Sequence, residues 1–389
     1  MQIGKLLQRR GGAEYFAPAP DAGGEAAGQA GPAPGAAGTL SGATGEAAEA
    51  EPVLAHSALA IEFRHATKVY QASSRGEANV GVHDLSLTVP AGEICCLVGP
   101  SGGGKTTAMR LVNRLIDLTE GDILVGGRSI TSTDPVRLRR DIGYVIQDVG
   151  LFPHLTIANN VAVPLRLHRW PKDRARARVD DLLTLVGLDA AMGKRYPAML
   201  SGGQQQRVGL ARALAVDPPI MLMDEPFGAL DPITRARLQD EFLRLQRQLR
   251  KTVIFVTHDI DEALKMGDKV AVLREGGRLA QYASPEELLA APADEFVASF
   301  IGADRGLKRL NLHRLDELCG EASSEVVDES LPTVSADASL RLALSILLET
   351  KAPAITVTND DGPCGTVTLE QLVELLHAVT PSGAGGGAG

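Results

Sequence analysis

Short, fully apolar runs alternate along this chain with stretches whose apolar residues recur at helical spacing. Ile94-Cys95-Cys96-Leu97-Val98, Ile220 to Met223, Val253 to Thr257 and Val270 to Leu273 are too short for helices and have no polar face, the pattern of strands buried on both sides. Gly121 to Val125 and Gly143 to Ile146 are shorter strand candidates bounded by Gly and Asp, and Arg278 to Gln281 follows a turn at Glu275-Gly276-Gly277. Leu59 to Tyr70 and Val82 to Val89 carry strand patterning, the second alternating at Val82, Leu85, Leu87 and Val89, and predict an antiparallel layer ahead of the first buried strand. Helical spacing marks Ala108 to Leu118, a stretch ending at Val186 with breaks at Pro164 and Pro171, and Gln205 to Ala215. Strands alternating with helices predict an α/β fold on a parallel sheet. Beyond it, Leu331 to Val379 reads as strand, helix (Leu340 to Leu348), strand (Ala354 to Thr358), a turn at Asn359-Asp360-Asp361-Gly362, strand (Gly365 to Val367) and helix (Leu369 to Ala378), a small α+β unit.

Composition refines the boundaries. The 389 residues allow two domains at about 150 residues each. Residues 1–57 are mostly Ala, Gly and Pro after a short basic start, with too little large apolar surface to offset the entropy of ordering, and are expected to be a disordered tail with Tyr15 and Phe16 incidental to it. The expected units are therefore that tail, a main domain over 58–303, a smaller one over 304–380 and a flexible end at 381–389. The basic segment Arg166 to Arg178 reads as a solvated helix face.

A net charge of -9 argues against a broad nucleic-acid footprint, so no nucleic-acid partner is expected. None of the four cysteines, Cys95, Cys96, Cys319 and Cys364, forms a CxxC pair, which points to reduced thiols. The N-terminus lacks the roughly 7–15-residue apolar segment of a signal peptide, and no run of about 18 apolar residues occurs, so the chain is not expected to cross a membrane unaided.

The chemistry concentrates at Gly99-Pro100-Ser101-Gly102-Gly103-Gly104-Lys105-Thr106-Thr107, between a buried strand and a helix. This is a P-loop. Its glycines let successive backbone N-H groups converge on phosphate oxygens at a helix N-terminus, Lys105 reaches the β- and γ-phosphates, Thr106 offers a hydroxyl to Mg²⁺ and Thr107 donates from the first helical turn. Leu200-Ser201-Gly202-Gly203-Gln204 opens a second helix with Ser201 at the N-cap and small residues exposing backbone amides. The apolar run that follows ends in Asp224 and Glu225, placed to hold the Mg²⁺ shell and to orient or deprotonate a water. Gln147 and His258 each close a strand, where ligands bind in open α/β sheets. Tyr70 ends the first strand, either stacking on a base or standing as a half-buried strand tyrosine.

Together these residues resemble the nucleotide-binding subunit of an ATP-binding cassette (ABC) transporter, over Leu59 to Ala303. The resemblance implies a P-loop NTPase fold with a RecA-like core, an antiparallel layer and a helical subdomain at about 148–215. It makes Tyr70 the adenine-stacking aromatic, Gly99 to Thr106 the Walker A loop and Gln147 a glutamine that senses Mg²⁺ and the membrane partner. LSGGQ at 200–204 is the family signature, Asp224 and Glu225 the Walker B aspartate and catalytic base, Asp231 the D-loop aspartate and His258 the switch histidine. In that family two cassettes meet head to tail, so Ser201, Gly202, Gly203 and Gln204 of one chain close on ATP held by Lys105 of the other. Implied partners are a second ATP-binding subunit, identical or not, membrane-spanning permease subunits and, indirectly, an extracytoplasmic substrate-binding protein, with the chain peripheral at the cytoplasmic membrane face.

GYVIQDVGLFPHLTI, DEPFGALDPITR and QYASPEELLAAPADEFVASFIGADR are similar to importers of glycine betaine, choline, carnitine or proline. Gly228, where many cassettes have Ser, is shared with that group. The C-terminal order resembles one CBS motif, with Leu307 to Leu318 a candidate remnant of another; it implies either a ligand-free dimerisation unit or an adenosine-nucleotide sensor. A soluble cassette acting in DNA repair or on ribosomes is the rival reading. Repair cassettes place long heptads between Walker A and signature, for which the interval from Lys105 to Leu200 is too short, and ribosomal ones usually carry two cassettes. A sensor without turnover is opposed by Glu225 and His258.

Overall fold

Alternation along single strands sets the architecture. The computed structural model describes residues 58–70, 79–147, 150–228, 230–319, 330–359 and 362–378. The tail over 1–57, with Tyr15 and Phe16, and the segment 381–389 lie outside them, as do Asp360 and Asp361 of the expected C-terminal turn.

Strands β1 (Ile61–Tyr70), β2 (Asn79–Val89), β3 (Ile94–Val98), β4 (Glu120–Val125), β5 (Arg128–Ser129), β6 (Ile142–Val145), β7 (Ile220–Asp224), β8 (Thr252–Val256), β9 (Lys269–Arg274) and β10 (Arg278–Ala283) form two sheets. The six-stranded sheet runs β10-β9-β3-β8-β7-β6 and is parallel except for the β9-β10 hairpin. The other is antiparallel in the order β2-β1-β4-β5, so β4 joins the layer begun by β1 and β2.

In β3, Ile94, Cys96 and Val98 pack into one apolar cluster with the helical segment 157–215, while Cys95 and Leu97 pack into another with β1, β2 and β4. Met221 and Met223 against Ile220 and Leu222, and Val253 and Phe255 against Ile254 and Val256, divide the same way. Both faces of the parallel sheet are thus covered, which is why these strands read as unbroken apolar runs. Each such side chain taken from water contributes about 1.5–3 kcal/mol.

The helices depart from the expected boundaries where side chains dictate it. Helix α1 (Lys105–Val112) stops well short of Leu118: Asn113 caps it, Arg114 takes a φ of 51°, and the Arg114 guanidinium donates to the carbonyls of Ile130 and Thr133 at 3.1 and 2.9 Å. After α2 (Pro135–Asp141), the helical stretch is divided as expected near Pro164 and Pro171 into α3 (Ile157–Val161), α4 (Val163–Leu167) and α5 (Lys172–Leu185), with Pro164 in the first turn of α4 and Pro171 capping α5. Helix α6 (Gly202–Ala213) begins before Gln205 because Ser201 and Gln204 form a capping box, Ser201 N–H donating to Gln204 Oε1 at 3.1 Å. Then come α7 (Pro232–Leu249), α8 (Ile260–Met266), α9 (Pro285–Ala290) and α10 (Glu295–Ile301).

The segment around Leu307 to Leu318 holds two short helices, α11 (Arg305–Arg309) and α12 (Asp316–Cys319), and no named strand. Leu310 and Leu315 enter the C-terminal core, closed by β11 (Thr333–Ser335), α13 (Leu340–Thr350), β12 (Ala354–Asn359), β13 (Gly362–Thr368) and α14 (Leu369–Ala378). Its sheet runs β11-β12-β13, the first pair parallel and the second antiparallel.

Burial pushes the Cys95 thiol up to about 12, opposed by the neighbouring Tyr282 hydroxyl, and raises Cys96 as well. Since the thiolate is the reactive form, neither should be alkylated in the native protein at pH 8, and both should react once it is unfolded. Peptide mapping after native and denatured labelling checks this; rapid native modification of either thiol would contradict the burial.

Candidate nucleotide site

The loop between β3 and α1 is fixed by backbone approaches that exclude a side chain. Gly99 has a φ of 149°, and a Cβ there would stand 2.2 Å from the Leu273 carbonyl oxygen. Gly104, at a φ of 76°, would meet the Gly81 carbonyl oxygen at 2.1 Å. Strands β9 and β2 therefore press on the two ends of one loop, at positions only glycine fills.

Lys105 folds back over this loop, its Nζ donating to the carbonyls of Gly99 and Pro100 at 2.8 Å each. Burial pulls its ammonium below the ordinary lysine range, while Glu225 and Asp224 pull the other way. Next along α1, the Thr106 hydroxyl donates to Asp224 Oδ1 at 3.1 Å, at the end of β7. Burial raises the Asp224 carboxyl, opposed by the Thr106 hydrogen bond and by the Arg110 charge.

Glu225 takes a φ of 43°, a conformation that costs a non-glycine residue about 1–3 kcal/mol. Its N–H donates to the Val256 carbonyl at 2.9 Å, and the turn carries its carboxylate off the strand axis. There Glu225 Oε2 lies 3.1 Å from His258 Nδ1 and 3.4 Å from Gln147 Nε2. Residues separated by more than a hundred positions, Lys105, Thr106, Gln147, Asp224, Glu225 and His258, thus share the edge formed by the C-terminal ends of β3, β6, β7 and β8. The Thr106 hydroxyl, the Asp224 carboxylate and the Gln147 amide are oxygen donors that suit a hard divalent cation completing its shell with water and phosphate.

Tyr70 reaches the same loop from β1. Its hydroxyl is 3.4 Å from Thr107 Oγ1, its ring is 39 % exposed, and the Lys68 ammonium stands 5.4 Å from the ring centroid. The ring lies over Gly81, where a Cβ would approach within 2.7 Å.

The other sequence candidates form a separate group. Ser201, Gly202, Gly203, Gln204 and Asp231 line a cavity of about 420 Å³ with Arg207, Thr234 and Arg237, and no P-loop residue lines it. The Ser201 hydroxyl is engaged by the N–H of Gln204 at 3.4 Å. Asp231 caps α7, accepting the Thr234 N–H at 3.0 Å, and that backbone donation holds its carboxyl below the usual carboxylate range.

Sequence reading did not single out Gly81 and gave Gly277 only as part of a turn; the two backbones meet (a Cβ on Gly277 would stand 2.5 Å from Val82 Cα) and bring the antiparallel layer to the loop. A glycine between two valines at the start of an alternating strand was the available signal for Gly81. Also unforeseen was Glu262, buried on α8, which accepts from the Gln239 amide at 2.9 Å behind the Thr257-His258 turn.

Comparison with known proteins bears on this arrangement. A family model described as ABC transporter matches residues 82–228, and one described as CBS domain matches 323–378. The osmoprotectant import ATP-binding protein OsmV of Salmonella typhimurium is 49% identical over 311 residues, which are 79% of this chain and 78% of that protein. The glycine betaine/carnitine/choline transport ATP-binding protein OpuCA of Bacillus subtilis is 44% identical over 300 residues, 77% of this chain and 75% of that one. This chain belongs to the osmoprotectant-import family of ABC transporter ATP-binding subunits.

As an ABC subunit it binds and hydrolyses ATP. A solved ABC cassette, in a dimeric post-hydrolysis state bound to ADP and Pi, superposes with a TM-score of 0.53 at 33% identity, covering 58% of this chain and 98% of the other. CbiO1 of Clostridium perfringens, part of an ABC transporter complex, gives 0.55 at 26% identity over 65% and 94%.

Gly99→Ala should abolish nucleotide binding and cost about 1–3 kcal/mol of stability, because the added methyl must displace the Leu273 carbonyl. Thermal unfolding with and without ATP checks both: the variant should melt lower and gain nothing from nucleotide.

Proposed function

We propose that this subunit is the motor of an importer for quaternary amines such as glycine betaine, choline or carnitine, and that it works as a dimer on membrane-spanning permease subunits. The observation that carries the reading is the division of the site: Lys105, Thr106, Asp224, Glu225, Gln147 and His258 converge on one edge, while the Ser201 helix start faces a cavity none of them lines. Each half is incomplete alone. Two chains arranged head to tail, as a homodimer, would supply the missing half to each other, and Ile233, 84 % exposed beside Asp231, would be covered by that contact.

In this reading Tyr70 stacks on adenine, and the backbone of Gly99, Pro100, Ser101, Gly102, Gly103 and Gly104 wraps the phosphates. Lys105 exchanges its two carbonyl partners for β- and γ-phosphate oxygens, and Thr107 donates at the first turn of α1. Thr106 and Asp224, with Gln147 beside them, would hold Mg²⁺, which when bound would supply charge neutralisation for the transferring phosphoryl group. Glu225 accepts the proton of the attacking water, and His258, 3.1 Å away, orients that carboxylate and faces the γ-phosphate.

The permease contact is supported by Phe152, Tyr196 and Met199, which are 42 %, 43 % and 63 % exposed in the helical segment after Gln147. The Ile157 N–H donates to the Arg195 carbonyl at 2.8 Å and ties these two stretches together. No helix among the described residues is long and apolar enough to cross a membrane, in keeping with a peripheral subunit held at the cytoplasmic face by its permease. A substrate-binding protein outside the membrane would choose the solute. The CBS motif supports dimerisation or regulation.

Glu225→Gln should leave ATP binding intact and lower turnover at least about a hundredfold, because the amide accepts no proton. Sizing with Mg-ATP should show an accumulated dimer; wild-type turnover would remove Glu225 from the mechanism. Ser201→Arg and Lys105→Ala chains, each inactive alone, should recover activity when mixed, since a mixed dimer contains one intact site. The import reading itself is tested by reconstitution with permease and binding protein and ATP-driven uptake of labelled glycine betaine or choline; hydrolysis uncoupled from uptake of any quaternary amine would overturn it.

A further inference from the structure

Between the cassette and the CBS motif lies a lysine whose surroundings are unusual for its type. Lys308, on α11, is 7 % exposed, and its ammonium meets three oxygens: the Ile301 carbonyl at 2.8 Å, Asp261 Oδ1 at 3.1 Å and Asp304 Oδ1 at 3.5 Å. Lysine is rarely buried unless paired, because desolvating an ammonium costs several kcal/mol without compensation. Two of the partners belong to the segment leading into α11. Asp261 does not: it sits in the first turn of α8, the helix that begins directly after His258.

Each end of this contact continues into packed and hydrogen-bonded structure. On the cassette side, Asp259 caps α8 by accepting the N–H groups of Asp261 and Glu262, and the Asp259 N–H donates to Thr257 Oγ1 at 3.1 Å. The buried Glu262–Gln239 bond holds the inner face of the same helix. The turn 257–259 that presents His258 to Glu225 is therefore an extension of α8. On the other side, Leu310 is buried in the C-terminal core and its carbonyl accepts the Arg341 N–H at 3.2 Å, while the Leu340 N–H donates to the His313 carbonyl at 3.1 Å. Arg309 lies 3.8 Å from Glu286 of α9, a second tie to the cassette.

We propose that Lys308 is a positioning residue for ATP hydrolysis: its ion pair with Asp261 couples the CBS unit to the helix that sets His258 against Glu225. A displacement of the C-terminal core relative to the cassette pulls on Leu310, two residues from Lys308, and reaches the His258 turn through Asp261 and not through the P-loop. The pair is hidden on the lysine side, so mobile salt screens it less than an exposed bridge. The inference rests on the placement of His258 at the hydrolysis site.

The test uses the full-length protein and Mg-ATP. Lys308→Met and Asp261→Asn should each lower kcat by about threefold to tenfold, within the span of typical coupling contributions, with KM for ATP unchanged because neither side chain touches the nucleotide loop. Lys308→Arg should retain the wild-type rate, and the double variant should be no slower than the slower single one. If Asp261→Asn hydrolyses ATP as fast as the wild type while Lys308→Met is slow, Lys308 only caps α10 and the coupling is wrong. Equal losses that sum in the double variant would also overturn it. His258→Ala separates the two readings: near-complete loss of turnover with a silent Asp261→Asn rejects the coupling alone, whereas wild-type turnover in His258→Ala rejects the site placement and the coupling with it.

Discussion

The nucleotide loop depends on backbone meeting backbone. Gly99 against the Leu273 carbonyl, Gly104 against the Gly81 carbonyl and Gly277 against Val82 are approaches that a single methyl group would break. They seat the loop where the edge of the parallel sheet meets the antiparallel layer. Helix α1 then starts at Lys105 with its first amides aimed outward, and Thr106 comes within reach of Asp224 across the sheet edge. Without those contacts the donors would remain, but their convergence would have to be established anew at each binding event, at an entropic cost that preformed sites avoid.

The charges follow from the same seating. Lys105 and Asp224 are both drawn toward their neutral forms by burial and both held charged by neighbours, Glu225 and Asp224 for the lysine, Thr106 and Arg110 for the aspartate. Neither balance is settled within the chain alone. In the proposed reading, phosphate would add an anion beside Lys105 and a divalent cation would add positive charge beside Asp224, so the ligands would complete the electrostatics of the site.

Most of this was legible in the sequence, for identifiable reasons. Strands covered on both faces announce themselves as apolar runs, and glycines, a lysine and two threonines between strand and helix have little else to do. What stayed hidden lay in tertiary contacts. The P-loop helix ends at Val112 because Arg114 bonds to Ile130 and Thr133, which no local pattern encodes. The signature helix starts at Gly202 because glycines with low helix propensity are held by a capping box. Gly81 fell in the glycine-bearing stretch expected as a loop before Val82, since the Tyr70 ring it accommodates comes from another strand. Gln147 could be placed at a strand end, whereas its approach to Glu225 depends on how the strands of the parallel sheet are ordered.

The parity of side chains along the central strands has a consequence for how such a molecule can change over time. Cys95 and Cys96 are neighbours in the chain, yet one belongs to the cluster with the antiparallel layer and the other to the cluster with the helical segment proposed above to meet the permease. Substitutions at alternate positions of one strand are therefore felt by different machines. If that segment meets the permease as proposed, repacking the even-numbered side of β3 would alter the fit to it while the odd-numbered side, packed against the antiparallel layer, is left as it was.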